Sequence, residues 1–289
     1  MGLGGDLMYT AVVREVKMAN SESNVFLFDG EKKGLIEKIL EKKYIRNSSP
    51  VFNNNPYLSQ GWVGGNDIVI DRTDSNNHYV KKELSDRYFW KDQKHIVELI
   101  CENFGVVPKS IEPDLIFSEN EIKENSQKMV LPEEDFITVE PNGKTDYFAQ
   151  NRLWFFDRWQ ELINQLSEFT QIIQVGDDNG KSLSNVINLN GNLTFREATW
   201  VISQSRLFVS TIGGLMHAAR AVETKSVILY AGTEKNKMAG YSDNINMTKY
   251  VECSPCGLKV ECPYGKECMD FSVEEIYEKV LENIIDARK

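Results

Sequence analysis

The chain has 289 residues and a formal net charge of −10, from 43 acidic and 33 basic side chains. Because nucleic acids are bound by basic surfaces, this charge argues against a nucleic-acid partner, and any anionic ligand must be bound by a few local groups. The sequence contains no apolar run near the roughly 18 residues that cross a membrane. With no signal segment at its start, the chain is expected to be a cytoplasmic protein.

The first half of the chain alternates apolar helical stripes with short apolar strands. Apolar residues at helical spacing predict helices over 7–16, 35–40 and 96–104. Apolar runs predict strands over 25–28 and 67–71. The Asn-, Ser- and Pro-rich residues 47–60 predict a loop. The polar segment 118–127 is the predicted domain boundary, which gives an N-terminal domain over 1–127 and a C-terminal domain over 128–289.

The second half repeats strand and helix more regularly. Apolar runs predict strands over 136–139, 172–175, 207–210 and 226–230. An apolar stripe predicts a helix over 155–166, and capping-box spacing at 194–197 and 272–275 predicts the starts of two more. Strands alternating with helices of roughly 10 to 15 residues indicate an α/β fold with parallel sheets covered on both faces. Ligands of such folds bind at the carboxyl ends of the strands.

The segment 210–221 carries a glycine pair, Gly213 and Gly214, between a predicted strand and a short helix. Glycines there let the backbone approach a phosphate at the helix N-terminus, so the segment indicates a nucleotide site. The alternative is an ordinary tight turn. His217, one turn into this helix, is placed to donate to a phosphate, and a core histidine is the alternative for that residue.

Two cations, Lys144 and Arg152, flank the predicted loop after the first strand of the second half. Positive groups there could neutralise a leaving diphosphate, as transfer from a nucleotide-activated donor requires. The alternative is that both are solvated surface cations.

Asp6 follows a glycine turn and precedes the first apolar helix. A carboxylate that projects into a crevice from a helix start is suited to removing a proton from an alcohol. The alternative is that Asp6 caps the helix and stabilises its dipole.

Four of the five cysteines crowd between positions 253 and 268, which is unlike a disulfide framework. They are Cys253, Cys256, Cys262 and Cys268. Four thiolates so close in sequence could close a tetrahedral zinc or iron site. Such a metal would be structural, because four protein ligands leave no open position for substrate. Free or transiently bridged thiols are the alternative.

Four segments in this order resemble glycosyltransferase family nine, the ADP-heptose:lipopolysaccharide heptosyltransferase group, over nearly the whole chain. The segments are GLGGDLM at 2–8, RLWFFDRWQEL at 152–162, GLMHAA at 214–219, and the cysteine cluster with the Met that follows Cys268. The buried strand that precedes the first turn in this family is missing here. Two alternatives follow: the start of the chain has been assigned too late, or the N-terminal domain is small and lacks its first strand, which would leave Asp6 poorly held. The residues Ile212 and Gly213 replace the family's acid and threonine, which leaves the donor sugar open.

The resemblance implies two Rossmann-like domains of the B-type glycosyltransferase fold, with the acceptor on the N-terminal domain and the nucleotide sugar on the C-terminal one. It implies inversion at the anomeric carbon, with Asp6 as the general base on the acceptor hydroxyl. Arg152, where the family has a lysine, would contact the diphosphate, and Leu193 would face the nucleotide base. The donor phosphates would be lined by Thr211, Gly213, Gly214, Leu215 and His217. No metal is needed for this catalysis, and some protein-glycosylating relatives carry an iron-binding cysteine finger in the C-terminal region.

The leading hypothesis is an inverting transferase that moves a sugar, foremost heptose from ADP-heptose, onto a bacterial surface glycan such as the lipopolysaccharide core. Its partners would be a nucleotide-diphosphate sugar and a glycan or glycolipid acceptor, with peripheral contact at the inner membrane face and no integral membrane segment. A nucleotide-sugar epimerase is a rival enzyme, which would turn over donor without acceptor. A non-catalytic, degenerate transferase domain that binds nucleotide or a protein partner is the main alternative. A redox or iron-sensing role of the cysteines is the third.

Overall fold

The computed structural model describes residues 2–30, 37–39, 42–74, 77, 93–143, 146–178 and 181–286. The chain divides into two compact units. The first comprises Met1–Ser118 and Lys237–Ala239, and the second comprises Glu119–Asn236 and Gly240–Lys289. Within the described ranges, no helix is long and apolar enough to cross a membrane.

In its described residues, the first unit combines two helices with a parallel strand pair and a small antiparallel sheet. Its elements are α1 (Leu3–Ala19), β1 (Val25–Phe28), β2 (Glu37–Ile39), β3 (Lys42–Ile45), β4 (Gly61–Trp62), β5 (Ile68–Asp71) and α2 (Ile96–Glu102). β1 pairs with β5 in parallel, with Val25 opposite Ile68, and β3 lies between β2 and β4 in the antiparallel sheet. α1 packs against α2 and β1 through its buried apolar side chains.

The structure overturns one predicted element of this unit. The described part of 35–40 is β2, which pairs antiparallel with β3, so the predicted helix there was wrong. Four apolar residues in six positions are too few to distinguish the helical period from the strand period. The pairing with β3 makes this segment a strand. Residues 35, 36 and 40 lie outside the described ranges.

The second unit is built on a six-stranded parallel sheet in the order β11-β10-β9-β6-β7-β8. Its strands are β6 (Phe136–Glu140), β7 (Gln171–Gln174), β8 (Ile187–Asn188), β9 (Leu207–Thr211), β10 (Ser226–Tyr230) and β11 (Ile245–Thr248). Its helices are α3 (Glu119–Lys128), α4 (Phe156–Leu166), α5 (Phe195–Gln204), α6 (Gly214–Ala221) and α7 (Val273–Asp286). The chain runs outward from β6 through β7 to β8, and then returns to β9 on the other side of β6. The direction of winding therefore reverses between β6 and β9.

Helices cover both faces of this sheet, as the alternating pattern predicts. Odd-numbered strand residues such as Ile137 and Val209 pack in one core with the apolar sides of α4 and α7. Because successive side chains of a strand point to opposite faces, the even-numbered residues such as Phe208, fully buried, face the other layer. α5 and α6 pack together and against strands of the sheet. The apolar stripe predicted for α4 is confirmed, since Trp159 is completely buried.

The tryptophan motif at 152–162 is part of the structural framework of the second unit. Trp154 and Trp159 pack edge to face with ring centroids 5.3 Å apart, and Trp154 Nε1 donates to the carbonyl of Phe271 at 3.1 Å. Arg158 donates to the same carbonyl and pairs with Asp270 at 2.6 Å. These contacts attach the start of α4 to the chain just before α7.

Candidate active site

The carboxyl ends of β6, β7 and β9 meet at the point where the winding of the second unit reverses. Open α/β sheets bind ligands at this kind of point, because the loops diverge there and leave a crevice. β7 leads to Gly176, which has φ of +125°, and β9 leads to Gly213. Position 176 requires glycine, since other residues rarely adopt that backbone conformation. Two glycine turns therefore flank the end of β6.

The segment after β9 has the predicted form of strand, glycine turn and helix. Gly213 is the N-cap of α6 and makes no side-chain cap bond, so the first amides of α6 are not occupied by a capping side chain. Thr211 ends β9 and Leu215 lies in the first turn of α6, and both are almost fully buried. This helix start has the backbone geometry of an anion site.

His217 is buried within this region and is held by an aromatic partner. Its ring Nδ1 lies 2.6 Å from the hydroxyl oxygen of Tyr241, and the two rings pack edge to face at 5.6 Å. This contact fixes the orientation of the imidazole. A fixed imidazole is compatible with a histidine that donates to a phosphate, and equally with one that only packs in the core.

Arg152 is engaged by an acid that the sequence pattern did not point to. Its Nη2 atom lies 2.7 Å from Glu234 Oε2, and 42% of its side chain is exposed. Glu234 follows the end of β10 by four residues. A diphosphate bound by Arg152 would compete with this carboxylate for the guanidinium. Lys144, the other predicted cation, lies outside the described residues.

Leu193 precedes a confirmed helix start. Thr194 accepts from the Glu197 amide at 3.3 Å, and Glu197 accepts from the Thr194 amide at 2.7 Å, which completes the predicted capping box of α5. The capping box at 272–275 is confirmed by the same reciprocal bonds at the start of α7. Leu193 is partly exposed.

Glu140, the last residue of β6, lies between the two glycine turns and was missed in the sequence analysis. A Cβ placed on Gly213 would lie 3.7 Å from its Oε2 atom, and one on Gly176 would lie 3.3 Å from its Cγ atom. Burial raises the pKa of the Glu140 carboxyl well above its ordinary value, and the charge of Asp177 adds to this effect. The available signal was an acidic residue at the end of a buried strand.

Asp6 lies in the first unit, inside the first turn of α1. The structure corrects the predicted glycine turn before it, because the helix already begins at Leu3 and includes these glycines. Glycine has a low helix propensity, but it is tolerated in a packed helix. Gly2 is the N-cap and makes no side-chain cap bond, so Asp6 does not occupy the capping position. The Asp6 carboxylate instead points to long-range partners.

Arg72 and Ser49 hold the Asp6 carboxylate, and neither was found from the sequence. Arg72 Nη1 lies 2.9 Å from Asp6 Oδ1, and Ser49 Oγ donates to Oδ2 at 2.6 Å. Arg72 follows β5, is 1% exposed, and also lies 3.5 Å from Asp29. Its guanidinium carbon is 4.4 Å from the centre of the Tyr9 ring. The carboxylate is therefore fixed in orientation by two donors from the loops after β3 and β5.

The four clustered cysteines line one small cavity of about 10 Å³, together with Asn151, Thr233 and Lys266. This volume is close to that of a single water-sized particle. Burial, with a smaller contribution from neighbouring thiols, raises the pKa of Cys253 and Cys268. Among the described residues, however, no three His, Cys, Asp or Glu side chains are arranged to hold a metal ion.

The cysteine loop is anchored to the rest of the second unit by backbone contacts. The Cys256 amide donates to the Gly232 carbonyl at 3.0 Å, and the Cys262 amide donates to the Asn151 side chain at 3.1 Å. Gly232 is closely covered, because a Cβ there would lie 2.1 Å from Ser254 Oγ and 3.0 Å from Cys268 Cβ. The loop therefore requires glycine at position 232.

These features define an α/β protein with a candidate nucleotide site at the winding reversal of a parallel sheet. The sequence pattern of glycosyltransferase family 9 (heptosyltransferase) matches residues 84–266. The chain therefore belongs to glycosyltransferase family 9. A comparison with curated protein sequences finds no significant match.

Solved structures of similar fold agree with this assignment. The ADP-heptose lipopolysaccharide heptosyltransferase II of E. coli has a TM-score of 0.60 and 12% identity, covering 99% of this chain and 97% of its own. A family 9 glycosyltransferase of Veillonella parvula has a TM-score of 0.66 and 14% identity, covering 99% and 95%. The iron-containing dodecameric glycosyltransferase TibC of enterotoxigenic E. coli has a TM-score of 0.66 and 13% identity, covering 100% and 75%. The fold is that of B-type glycosyltransferases of the heptosyltransferase family.

Proposed function

We propose that this protein is an inverting glycosyltransferase that uses a nucleotide-diphosphate sugar, foremost ADP-heptose, to extend a bacterial surface glycan such as the lipopolysaccharide core. The observation that carries this proposal is the pair of glycine turns beside the α6 N-terminus, at the winding reversal of a family 9 chain. Structures of similar fold include TibC with ADP-D-beta-D-heptose and the E. coli heptosyltransferase WaaC with ADP, which favours an adenine nucleotide. The acceptor class would bring the protein to the inner face of the cytoplasmic membrane.

In this proposal the N-terminal domain, residues 1–127, receives the acceptor, and the C-terminal domain, residues 128–289, holds the donor. Asp6 takes the proton from the acceptor hydroxyl, whose oxygen forms the new bond to the anomeric carbon. The bond from that carbon to the donor oxygen breaks, and its electron pair leaves with the nucleotide diphosphate. Attack opposite the leaving group inverts the anomeric centre.

The charge that develops on the leaving diphosphate would be stabilised by the second unit. Amides at the start of α6 and the side chain of Thr211 can donate to its oxygens, while Gly213 and Gly214 allow close approach. His217 would donate a further hydrogen bond, and Lys144 and Arg152 would supply positive charge once Arg152 exchanges Glu234 for phosphate. Leu215 would line the phosphate site, and Leu193 would face the nucleotide base. This chemistry depends on amides and cations rather than on a catalytic metal.

One set of contacts favours the alternative hypothesis that the protein is a non-catalytic domain. Asp6, Arg152 and His217 are each engaged by a protein partner, namely Arg72, Glu234 and Tyr241. A domain that has lost its reaction would have no reason to keep these groups available. It would bind nucleotide or a partner protein without turnover.

Calorimetry with ADP, UDP and GDP, followed by a transfer assay with ADP-heptose and a lipopolysaccharide core acceptor, distinguishes the two readings. The transferase predicts selective ADP binding and transfer that is lost in Asp6→Asn. Selective binding of UDP or GDP would keep the transferase and change the donor sugar. ADP binding with no transfer to any core acceptor would support the non-catalytic reading, and no nucleotide binding by folded protein would contradict the donor site itself.

We also propose that the cysteine cluster binds a structural zinc or iron ion. All four thiols line one small cavity, and thiolates are ligands that bind both metals. Cys253, Cys256, Cys262 and Cys268 would have to rotate together to close the site, since they are not arranged as a ligand set in the described structure. A bound ion would cross-link the loop 253–268 and take no part in sugar transfer.

A further inference from the structure

Glu140 occupies a position that the proposed reaction does not yet use. It ends β6, the central strand beside the winding reversal, and its register partner on β9 is Ser210. Its carboxyl lies against the turns at Gly176 and Gly213, and Gly213 is the N-cap of α6. The carboxyl group therefore faces the region where the proposed donor diphosphate would meet the helix start.

The surroundings of Glu140 disfavour a negative charge on it. Its side chain is partly exposed to solvent but its carboxyl group is desolvated, and the Asp177 carboxylate after β7 adds to the penalty for ionisation. Among the described residues, its neighbours on the side of β9 and α6 include Ser210 and Gly213, which carry no charge. Of the ionisable groups of the neighbouring elements, Arg152 is paired with Glu234 and His217 is bound to Tyr241.

Binding of a diphosphate next to an ionised Glu140 would be electrostatically unfavourable. Two anions separated by a few ångströms in a partly buried site repel each other strongly. A neutral carboxylic acid, in contrast, offers an O–H donor, and a hydrogen bond to an ionised phosphate oxygen is of the strong, charge-assisted kind. Binding of a diphosphate should therefore select the protonated carboxyl.

We propose that Glu140 contacts the donor diphosphate as a protonated carboxylic acid, so that a nucleoside diphosphate binds together with a proton. This inference rests on the proposed donor site and adds a specific residue to it. Linkage then requires that the affinity for the nucleotide falls as pH rises above the Glu140 pKa of the free protein. The limiting slope is tenfold for each pH unit, because about one proton accompanies each nucleotide.

The experiment is calorimetric titration with ADP between pH 6 and 9.5, in buffer pairs of different ionisation enthalpy, which counts the protons taken up on binding. Ionisation of ADP does not contribute to the pH dependence of the affinity at the upper end of this pH range, because its phosphates have a pKa of about 6 and are fully ionised there. Buried glutamates with pKa values of about 8 to 9 are documented, so the pH series extends to 9.5.

Three variants separate Glu140 from other titrating groups. Glu140→Gln keeps a neutral donor, and we expect ADP affinity that is constant above pH 7 with no proton uptake. Glu161→Gln, at an exposed position on α4, is the matched control and should behave like the wild type. Asp177→Asn removes the charge that opposes ionised Glu140, so the fall in affinity should move to lower pH. This last variant tests the inference even if Glu140→Gln folds poorly.

Two results would overturn the inference. One is wild-type ADP affinity that is independent of pH up to 9.5 with no proton uptake. The other is proton uptake that persists in Glu140→Gln, which would assign it to another group such as His217. Failure of ADP, UDP and GDP to bind at any pH is a different result, because it would contradict the proposed donor site as a whole.

Discussion

The Asp6 carboxylate and the Arg72 guanidinium form a buried ion pair, with 2.9 Å between Oδ1 and Nη1 and side chains that are 6% and 1% exposed. Removing one partner of such a pair leaves the other charge buried without compensation. The cost is about 3–5 kcal/mol in well-studied cases. The residue proposed as the base is therefore also part of the first unit's stability, and the two roles must be measured separately.

Asp6→Asn should abolish sugar transfer while ADP affinity stays within about twofold of wild type, a margin that corresponds to roughly 0.4 kcal/mol. Asparagine keeps the shape, an oxygen that can accept from Arg72 and an NH2 group that can donate to the Ser49 hydroxyl, but it cannot take a proton from the acceptor. Transfer should be assayed well below the unfolding midpoint of the variant, with ADP titrated on the same sample. Ser49→Ala, which removes one donor and leaves the carboxylate, is the control and should keep measurable activity. Full activity in Asp6→Asn would show that another group is the base.

A double-mutant cycle on Asp6 and Arg72 should give strong coupling. Asp6→Asn and Arg72→Met each leave one buried charge, whereas the double variant leaves neither. We expect the double variant to be more stable than the sum of the single effects predicts, by about 1–3 kcal/mol. Urea unfolding followed by far-UV circular dichroism measures the cycle. Additive effects would mean that Asp29, 3.5 Å from Arg72, compensates the guanidinium by itself.

His95 should make the first unit sensitive to mild acid. It is the N-cap of α2, where its Nδ1 atom accepts from the Val97 amide at 3.2 Å, and burial lowers its pKa from 6.5 to about 4. Between these values the unfolded chain binds a proton that the folded protein does not bind. Stability is therefore fully present above pH 6.5 and is lost as pH falls toward 4, by up to about 3 kcal/mol.

His95→Asn isolates this effect, because asparagine is a favourable N-cap without a titrating group. We expect unfolding midpoints that are close to wild type at pH 7 and higher than wild type at pH 4.5. The pH series should be run on both proteins in the same buffers. If the unfolding midpoints of the two proteins fall equally as the pH is lowered, groups other than His95 cause the acid sensitivity.

Much of the second unit could be predicted from the sequence, because its elements are strongly patterned over short distances. The α4 stripe around Trp159 and the capping box of α5 follow from local spacing alone. The edge strands β8 and β11 were missed, since each is short and incompletely buried and carries little apolar signal. In the first unit, Ser49 and Arg72 meet Asp6 across 43 and 66 residues of chain, and no local pattern encodes such a contact.

Metal content tests the cysteine proposal. Protein purified under reducing conditions should contain about one equivalent of zinc or iron, since four thiolates complete one tetrahedral site. Removal by a chelator should lower the thermal unfolding midpoint without changing ADP affinity. The double variant Cys256→Ser and Cys262→Ser should lose the metal, while Cys101→Ser, which changes a cysteine outside the cluster, should retain it. Metal-free protein with all its thiols titratable would contradict the proposal.

The close packing around Gly232 limits which residues homologous proteins can have at this position. A methyl group at this position would collide with Ser254 and press on Cys268, so the loop 253–268 can close over the end of β10 only where residue 232 has no side chain. A lineage that lost the loop would be released from this requirement, and one that acquired it would first have needed glycine there. Across homologous sequences, the cysteine loop should therefore be found only together with glycine at this position, whereas glycine without the loop is permitted.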